Sequence, residues 1–255
     1  MDFTGKLGKY KIIETEDQTK TLWSEFFNEA CHNLSGAYDE TVYNYILGCH
    51  VDDQLKARQN VHVLDVGFGV GIGLKAFIDE VMKHDSHSLE LSYTSIELDE
   101  VLFLWSAKET FPDYVFHKQN ETYVCQLDLK ADTRLSITIF IGDGRKTLPE
   151  AFKLGLLPKF TAIFQDAFSP KRNPMLWTVE WFDDLRIMSA PEVFLSTYSA
   201  SESVRKSMIA SRWKLENKKG FGQKRTMTKA RLIGVTDEAI AADLSRSPAL
   251  ELRDN

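Results

Sequence analysis

Short apolar runs alternate with segments of helical periodicity through the middle of the chain. Apolar strands are predicted at residues 61–66, 91–98, 135–141, 160–164 and 192–198. Between them, apolar positions at helical spacing predict helices over residues 72–83 and 99–109. Strands that alternate with helices favour a parallel, doubly wound sheet. The pattern therefore predicts an α/β protein.

The N-terminal part of the chain follows a different pattern. Residues 9–23 alternate polar and apolar positions around Asp17-Gln18, which predicts a small hairpin. Residues 24–48 have helical spacing. The polar stretch 51–60 is a plausible boundary, so residues 1–55 are expected to form a cap made of a hairpin and a helix.

The C-terminal part is expected to close the sheet. Ser199–Glu202 fits a capping box, which predicts a helix to about Ser211. Residues 213–219 and 226–235 flank Gly220-Phe221-Gly222 and predict an antiparallel hairpin. We therefore expect a central domain over residues 56–240 and a polar tail over residues 241–255.

Composition limits the class of protein. The chain has 255 residues, of which 43% are hydrophobic and 11% aromatic, and this excludes a disordered chain. No apolar run approaches the roughly 20 residues of a membrane span. The N-terminal sequence lacks the apolar core of a signal peptide, and the three cysteines have no metal-binding spacing. We expect a cytoplasmic protein with reduced thiols, no membrane contact and no metal site.

The charge of the chain is unevenly distributed. A formal charge of −6 argues at first against a nucleic acid partner. However, the segment Ser203–Arg231 holds ten basic residues and one acidic residue. A charge run is usually only a solvated surface, but contacts to phosphate need no more than a local basic patch. The acidic total therefore does not exclude RNA.

A glycine-rich turn follows the first predicted strand of the central domain. The segment Val63–Gly73 contains Gly67, Gly69 and Gly71, and Asp65 precedes them. Glycines let the backbone turn sharply beside a ligand, and the following helix directs free N–H groups at it. A dinucleotide fingerprint needs a third glycine where this chain has Ile72 or Leu74. The pattern favours S-adenosyl-L-methionine (SAM) over a dinucleotide or a purely structural turn.

Further candidate cofactor contacts follow the next strands. Glu97 ends the second strand and is placed to accept hydrogen bonds from ribose hydroxyls. Asp143 and Gly144 follow the third strand and are expected beside the adenine. Phe68, inside the glycine turn, is expected to be exposed and to pack against SAM.

Three motifs carry a resemblance to a known family. Residues 165–178, QDAFSPKRNPMLWT, resemble the D-[GA]-F-[AS]-P-x-x-N-P-x-x-W-[ST] signature of the MnmC/MnmD-type tRNA wobble-uridine methyltransferases. Residues 219–227, KGFGQKRTM, are similar to that family's hairpin, and residues 36–45, GAYDETVYNY, to its N-terminal element. Among the departures, Asp99 stands where many members have a small or Pro-containing turn.

The resemblance implies both a fold and a reaction. It implies a Rossmann-like class I SAM methyltransferase that methylates the exocyclic amine of 5-aminomethyl-2-thiouridine at the tRNA wobble position. In many bacteria this domain is fused to an FAD-dependent oxidase. Because the chain stops at Asn255, we expect no oxidase domain and no FAD here, although a separate oxidase is a candidate partner.

Asp166 is the candidate catalytic residue. It follows the fourth strand, where its carboxylate could orient the amine and accept its proton. The alternative is an aspartate that only caps the loop before Pro170. Trp177 could stack on a flipped-out base, or could pack in the core under the loop.

The remaining candidates surround this residue. Glu40 and Tyr43 are expected to form an active-site lid, with Glu40 close to the cofactor; a simple capping helix is the alternative. The expected RNA contacts are Lys171, Asn173, Lys219, Phe221, Lys224 and Arg225. Two rival functions stay open: a SAM enzyme acting on another RNA site or a small amine, and a non-catalytic RNA-binding module that keeps the fold.

Overall fold

The structure, a computed structural model, describes residues 2–32, 36–130, 132–222 and 226–254. Its strands are β1 (Phe3–Thr4), β2 (Lys9–Glu14), β3 (Lys20–Ser24), β4 (Glu29–Ala30), β5 (Val61–Val66), β6 (Glu90–Glu97), β7 (His117–Gln119), β8 (Thr122–Lys130), β9 (Thr133–Ile141), β10 (Phe160–Phe164), β11 (Ser189–Thr197), β12 (Lys214–Lys219) and β13 (Thr226–Arg231).

The helices lie between and around these strands. They are α1 (Ala37–Thr41), α2 (Val51–Lys56), α3 (Ile72–Lys83), α4 (Glu100–Thr110), α5 (Gly144–Lys153), α6 (Val179–Ile187), α7 (Glu202–Ala210) and α8 (Glu238–Arg246). A π-helical segment, Val42–Ile46, continues α1, and a 3-10 turn, Pro174–Trp177, precedes α6. Among the described residues, none of these helices is both long and apolar enough to cross a bilayer.

A nine-stranded sheet forms the centre of the fold, in the order β12-β13-β11-β10-β5-β6-β9-β8-β7. Strands β11, β10, β5, β6 and β9 are parallel, as the apolar runs predict. All five residues of β10 are buried, because helices cover both faces of the sheet. The antiparallel hairpin β12–β13 closes one edge, which confirms the doubly wound sheet with a C-terminal hairpin.

Helices pack an apolar layer on each face of this sheet. Phe77, Tyr93 and Phe103 belong to one cluster of buried side chains. Trp181 and Trp213 belong to the other. The antiparallel pair β7–β8, which extends the opposite edge, was not predicted from the sequence.

A separate four-stranded antiparallel sheet, β1-β2-β3-β4, forms the N-terminal cap. The hairpin predicted over residues 9–23 is confirmed as β2 and β3. The helix predicted over residues 24–48 is wrong for residues 24–30, which complete this sheet, and is confirmed for residues 37–46, which form α1 and the π-helical segment. The helical spacing was misleading because Phe26 is 59% exposed and Phe27 packs on a distant loop.

Two details of the C-terminal part also differ from expectation. Helix α7 is present, but its N-cap is Ser201, without a side-chain capping bond, so the predicted capping box is wrong. The C-terminal segment is docked on the domain: Val179 N–H donates to the Leu252 carbonyl at 2.9 Å, and Leu252 N–H donates to Ser207 Oγ at 2.8 Å. The polar pattern gave no sign of this contact.

Candidate active site

A cavity of about 730 Å³ opens at the carboxyl ends of the parallel strands. This is the edge at which open α/β sheets bind their ligands. Eight of the predicted site residues line it: Glu40, Gly67, Gly69, Glu97, Asp143, Gly144, Asp166 and Asn173. The fold thus gathers side chains from five separate stretches of sequence around one space.

The glycine turn forms the floor of this cavity. Gly69 has φ 54° and Gly71 has φ 79°, a left-handed backbone that glycine adopts without strain. At Gly71 an added Cβ would lie 2.7 Å from the Phe111 ring. Gly71 precedes α3 and does not line the cavity, so its contribution is to the shape of the turn.

Two of the predicted cofactor residues lie behind the turn. Asp65 is buried and accepts hydrogen bonds from Tyr93 Oη at 2.6 Å and Ser95 Oγ at 3.1 Å. Burial raises the pKa of Asp65 to about 7, although both hydrogen bonds oppose the shift. Phe68 is only 2% exposed and packs edge-on against Phe103, so the prediction of an exposed ring beside SAM is wrong. Tight turns direct their side chains by tertiary packing, and this one turns Phe68 into the core.

Glu97 faces the glycine turn from the end of β6. Its carboxylate accepts hydrogen bonds from Gly69 N–H at 3.1 Å and Asp99 N–H at 3.0 Å. Burial raises the pKa of Glu97 to about 7, and the hydrogen bonds oppose that rise. A carboxylate held in this way at the cavity wall is suited to accept further hydrogen bonds from ribose hydroxyls.

The next wall is the beginning of α5. Asp143 is the N-cap of this helix and accepts a hydrogen bond from Arg145 N–H at 3.1 Å. At Gly144 an added Cβ would lie 2.3 Å from Ile96 Cδ1. The absence of a side chain at this position leaves Asp143 and the helix N-terminus close to the sheet edge, where a flat ring could lie.

Asp166 lies directly beyond β10, as the strand pattern predicts. Its Oδ1 accepts a hydrogen bond from the Tyr45 hydroxyl. Tyr45 lies on the π-helical segment, and its ring stacks on Phe164 with centroids 5.4 Å apart. Tyr198 also lines the cavity, and its hydroxyl donates to the carbonyl of Ala167 at 2.9 Å.

The N-terminal sheet covers one side of the cavity. The Phe27 ring stacks on Phe168 with centroids 4.1 Å apart, and Glu29 accepts a hydrogen bond from Ser169 N–H at 3.1 Å. His32 also lines the cavity, and burial lowers its pKa to about 4, so the ring is neutral near pH 7. The cap therefore supplies part of the wall.

The loop between β10 and α6 is held from below by Trp177. Trp177 is fully buried and its Nε1–H donates to the Phe168 carbonyl at 2.9 Å. The prediction that it stacks on a base is therefore wrong, and the core alternative is correct. Gln165 supports the same loop, since its Nε2 donates to the Leu176 carbonyl at 2.8 Å. Lys171 is exposed on the loop, outside the cavity.

Three of the predicted RNA residues come together beside the cavity. The Tyr43 hydroxyl donates to the Lys219 carbonyl at 2.9 Å, and the Tyr43 and Phe221 rings lie 5.9 Å apart. The Lys218 ammonium lies 4.0 Å from the centre of the Tyr43 ring. Lys224 and Arg225 lie outside the described residues.

Several lining residues were missed by the sequence analysis. Tyr45 falls within the motif at residues 36–45, so a signal for it was present. Glu29, Cys31 and His32 carried no signal, because they reach the cavity only when the cap docks on the domain.

The cavity is strongly acidic. Among the lining residues that the structure describes, five are carboxylates and one, Arg145, is an arginine or lysine; the carboxylates are Glu29, Glu40, Glu97, Asp143 and Asp166. A concave surface lined by one sign of charge favours ligands of the opposite sign. The geometry therefore suits cationic ligands.

Comparison with known proteins finds similar chains. Residues 108–233 match the family described as S-adenosyl-L-methionine-dependent methyltransferase. The crystal structure of MNMC2 from Aquifex aeolicus superposes with a TM-score of 0.76 at 26% identity, over 96% of this chain and 79% of that one.

Two curated relatives extend the comparison. An uncharacterised protein of Methanocaldococcus jannaschii is 27% identical over 87% of this chain and 59% of its own length. The tRNA 5-methylaminomethyl-2-thiouridine biosynthesis bifunctional protein MnmC of Azoarcus sp. strain BH72 is 26% identical over 84% of this chain. The chain spans only 34% of that relative. Residues 108–233 thus match the S-adenosyl-L-methionine-dependent methyltransferase family, and the chain as a whole is similar to the MnmC proteins.

Proposed function

We propose that this chain methylates the exocyclic amine of 5-aminomethyl-2-thiouridine at the tRNA wobble position. The observation that carries the proposal is Asp166, a carboxylate at the end of β10 inside an acidic cavity that a SAM enzyme would use. The names of the MnmC relatives support the choice of substrate. A chain acting on tRNA would work in the cytoplasm.

The cavity offers suitable groups for SAM. Glu97 presents a carboxylate for ribose hydroxyls, and Asp143 with Gly144 borders the space expected for adenine. When bound, SAM supplies a methyl group that its sulfonium sulfur releases as a nucleophile attacks. The acidic walls favour the positive sulfonium form over the neutral product. The donor set therefore fits the group.

The acidic cavity also fits an amine as acceptor. A primary alkyl amine is mostly protonated near pH 7 and enters as a cation. Asp166 would hold this ammonium group, take one proton, and leave the nitrogen lone pair free to form the new N–C bond. Asp166 would then release this proton to solvent, and the regenerated carboxylate would stabilise the positive charge on the methylated nitrogen.

The antiparallel hairpin β12–β13 is the proposed RNA contact. Three of its basic neighbours are engaged within the fold, which reduces the patch read from the sequence. Arg205 donates to Thr228 Oγ1 and Asn217 Oδ1, Lys206 donates to the Ser247 carbonyl, and Arg231 pairs with Glu216. In addition, Lys218 donates to the Tyr43 carbonyl and Lys229 contacts His50 Nε2. The described cations of this segment left for phosphate are Arg212, Lys214 and Lys219.

Asp166→Asn tests the catalytic role. The variant keeps the side-chain volume, so SAM should bind with unchanged affinity, while turnover should fall by about a hundredfold or more. The assay is mass spectrometry of wobble nucleosides after incubation of protein, SAM and tRNA that carries the aminomethyl precursor. Unchanged turnover in the variant would refute the role of Asp166.

The same assay separates the rival functions. If the wild-type protein binds SAM in calorimetry but adds no methyl group to this tRNA, the wobble amine is not its substrate. Another RNA site or a small amine would then be the remaining substrate classes. Failure to bind SAM would favour a non-catalytic RNA-binding module. A separate FAD-dependent oxidase stays a candidate partner, because the MnmC relatives are named as bifunctional proteins.

Charge-neutral variants test the RNA contact. Changing Lys214 and Lys219 to Gln should weaken tRNA binding, and should lower the slope of log affinity against log salt by about one per lost phosphate contact. Lys153→Gln, at the far end of α5, is the matched control and should change neither quantity. Equal tRNA affinity in the hairpin variant and the control would contradict the proposed surface.

A further inference from the structure

The hydroxyl of Tyr45 is a buried polar group to which the proposed reaction gives no role. Tyr45 is 2% exposed, lines the cavity, and donates its hydrogen bond to Oδ1 of Asp166. The two residues are 121 positions apart in sequence. A tyrosine whose only need was apolar burial would not require this contact.

The backbone around Tyr45 is held in one arrangement. Leu47 N–H donates to the Val42 carbonyl at 3.0 Å, which closes the π-helical turn, and Ser196 Oγ donates to the Asn44 carbonyl. At Gly48 an added Cβ would lie 1.8 Å from that same Asn44 oxygen, so a side chain cannot be accommodated there. Single π-helical turns inside helices occur frequently at functional sites. This one brings the Tyr45 ring against Phe164 and its hydroxyl to Asp166.

The surroundings of Asp166 make such a donor useful. Asp166 interacts electrostatically with Cys31 from the cap, Tyr93 from β6 and Tyr198 after β11. The carboxyl groups of Glu29 from the cap, Glu40 from α1 and Glu97 from β6 line the same cavity. Several of these are acids, and nearby negative charge disfavours ionisation of Asp166. Burial raises the pKa of Tyr45 well above its usual range, and the charge of Asp166 adds to the rise, so Tyr45 remains a neutral donor. A hydrogen bond to the charged form of a carboxyl group favours that form.

We propose that Tyr45 is a positioning residue that fixes the orientation of the Asp166 carboxylate and keeps it ionised in an acidic cavity. The inference rests on the proposed function, in which Asp166 accepts a proton from the amine. The orientation and the ionised state of that carboxylate then depend on the neutral Tyr45 hydroxyl, which the π-helical segment supplies.

The first test needs no substrate. Tyr45→Phe keeps the ring on Phe164 and removes only the oxygen. In protein labelled with ¹³C at aspartate carboxyl groups, and with the Asp166 signal assigned by its loss in Asp166→Asn, the midpoint of the Asp166 titration should rise by about one pH unit in the variant. An unchanged midpoint would overturn the inference.

A wild-type measurement keeps the inference testable if the variant does not fold. The ¹³Cζ signal of Tyr45 should titrate with the same midpoint as Asp166, because the two groups share a hydrogen bond. A Tyr45 signal that stays constant through the Asp166 transition would overturn the inference equally.

Kinetic measurements test whether Tyr45 affects the rate of methyl transfer and its pH dependence. In Tyr45→Phe, kcat on the aminomethyl tRNA should fall about tenfold with little change in KM, and the acid limb of kcat/KM should move about one pH unit upward. A purely structural role would lower kcat without moving the limb. Tyr10→Phe is the control, because Tyr10 is also buried and donates to Asp99 at 3.1 Å but lies outside the cavity.

The two proposals fail in different ways. Wild-type protein without activity on this tRNA contradicts the proposed substrate, while the carboxyl titration still decides the role of Tyr45. Active wild-type protein whose Tyr45→Phe variant keeps both the Asp166 midpoint and the acid limb contradicts the role of Tyr45 alone.

Discussion

SAM affinity should depend on pH through Glu97. This carboxyl group is buried, its pKa is raised to about 7, and it lines the cavity where a ribose is expected. Only the ionised form can accept hydrogen bonds from both ribose hydroxyls. SAM binding should therefore release a proton below pH 7 and strengthen as the pH rises.

The size of the effect follows from the pKa. With a pKa of about 7, the ionised fraction of Glu97 falls from about 0.9 at pH 8 to about 0.1 at pH 6. If the protonated form binds SAM weakly, the association constant falls about tenfold over this range, or about 1.4 kcal/mol. Without SAM, the free energy of unfolding depends on pH in the opposite direction. Because folding raises the pKa of Glu97, its contribution to stability is full below about pH 4.5 and is lost as the pH rises through 7.

Isothermal titration calorimetry at pH 6 and pH 8, in two buffers of different ionisation enthalpy, measures both the affinity and the protons released. Glu97→Gln should remove the additional pH dependence, and the difference between the two proteins cancels any titration of SAM itself. Asp65→Asn is the matched control, because Asp65 has a similarly raised pKa but bonds Tyr93 and Ser95 outside the cavity. A pH dependence that survives Glu97→Gln would refute the assignment of Glu97 to the ribose.

Two further changes test how the site is supported. Trp177→Ala should destabilise the fold by about 3–5 kcal/mol in urea denaturation, because the side chain is fully buried. Trp177→Phe should retain most of the tRNA activity. Loss of activity in a stable Trp177→Phe protein would instead support base stacking by Trp177. Asp99→Ala should cost about 3 kcal/mol, since Leu7 N–H, Tyr10 Oη and Val101 N–H lose a buried acceptor. Hydrogen exchange should then increase in β1 and β2, and unchanged protection there would contradict the role of Asp99 in holding the cap.

Asp99 also explains one departure from the family pattern. It is fully buried, it accepts hydrogen bonds from the cap at Leu7 and Tyr10, and it forms the N-cap of α4. At Gly5 an added Cβ would lie 2.2 Å from its Oδ2. Burial alone would raise the pKa of Asp99, but these hydrogen bonds outweigh it and lower the pKa. An aspartate at this turn thus connects the N-terminal sheet to the central domain.

The N-terminal cap shows which elements a local sequence pattern can predict and which it cannot. The alternation over residues 9–23 is a local consequence of one face being buried, and it predicted β2 and β3 correctly. The helical spacing after residue 24 was accidental, because Phe27 meets Phe168 only after the cap docks. Strand β4 is two residues long and depends on pairing with β3, which local spacing cannot report.

The sequence by itself determined the five parallel strands, the helices α3, α4 and α7, the glycine turn and the acidic residues at the strand ends. Apolar runs, left-handed glycines and strand-to-loop transitions are local features, and parallel strands bring their carboxyl ends to one edge. Only the tertiary structure decided that Phe68 and Trp177 point into the core, that the cap closes the cavity, and that Tyr45 meets Asp166. The direction of a side chain on a turn or loop depends on what packs against it, and those partners lie far away in the sequence.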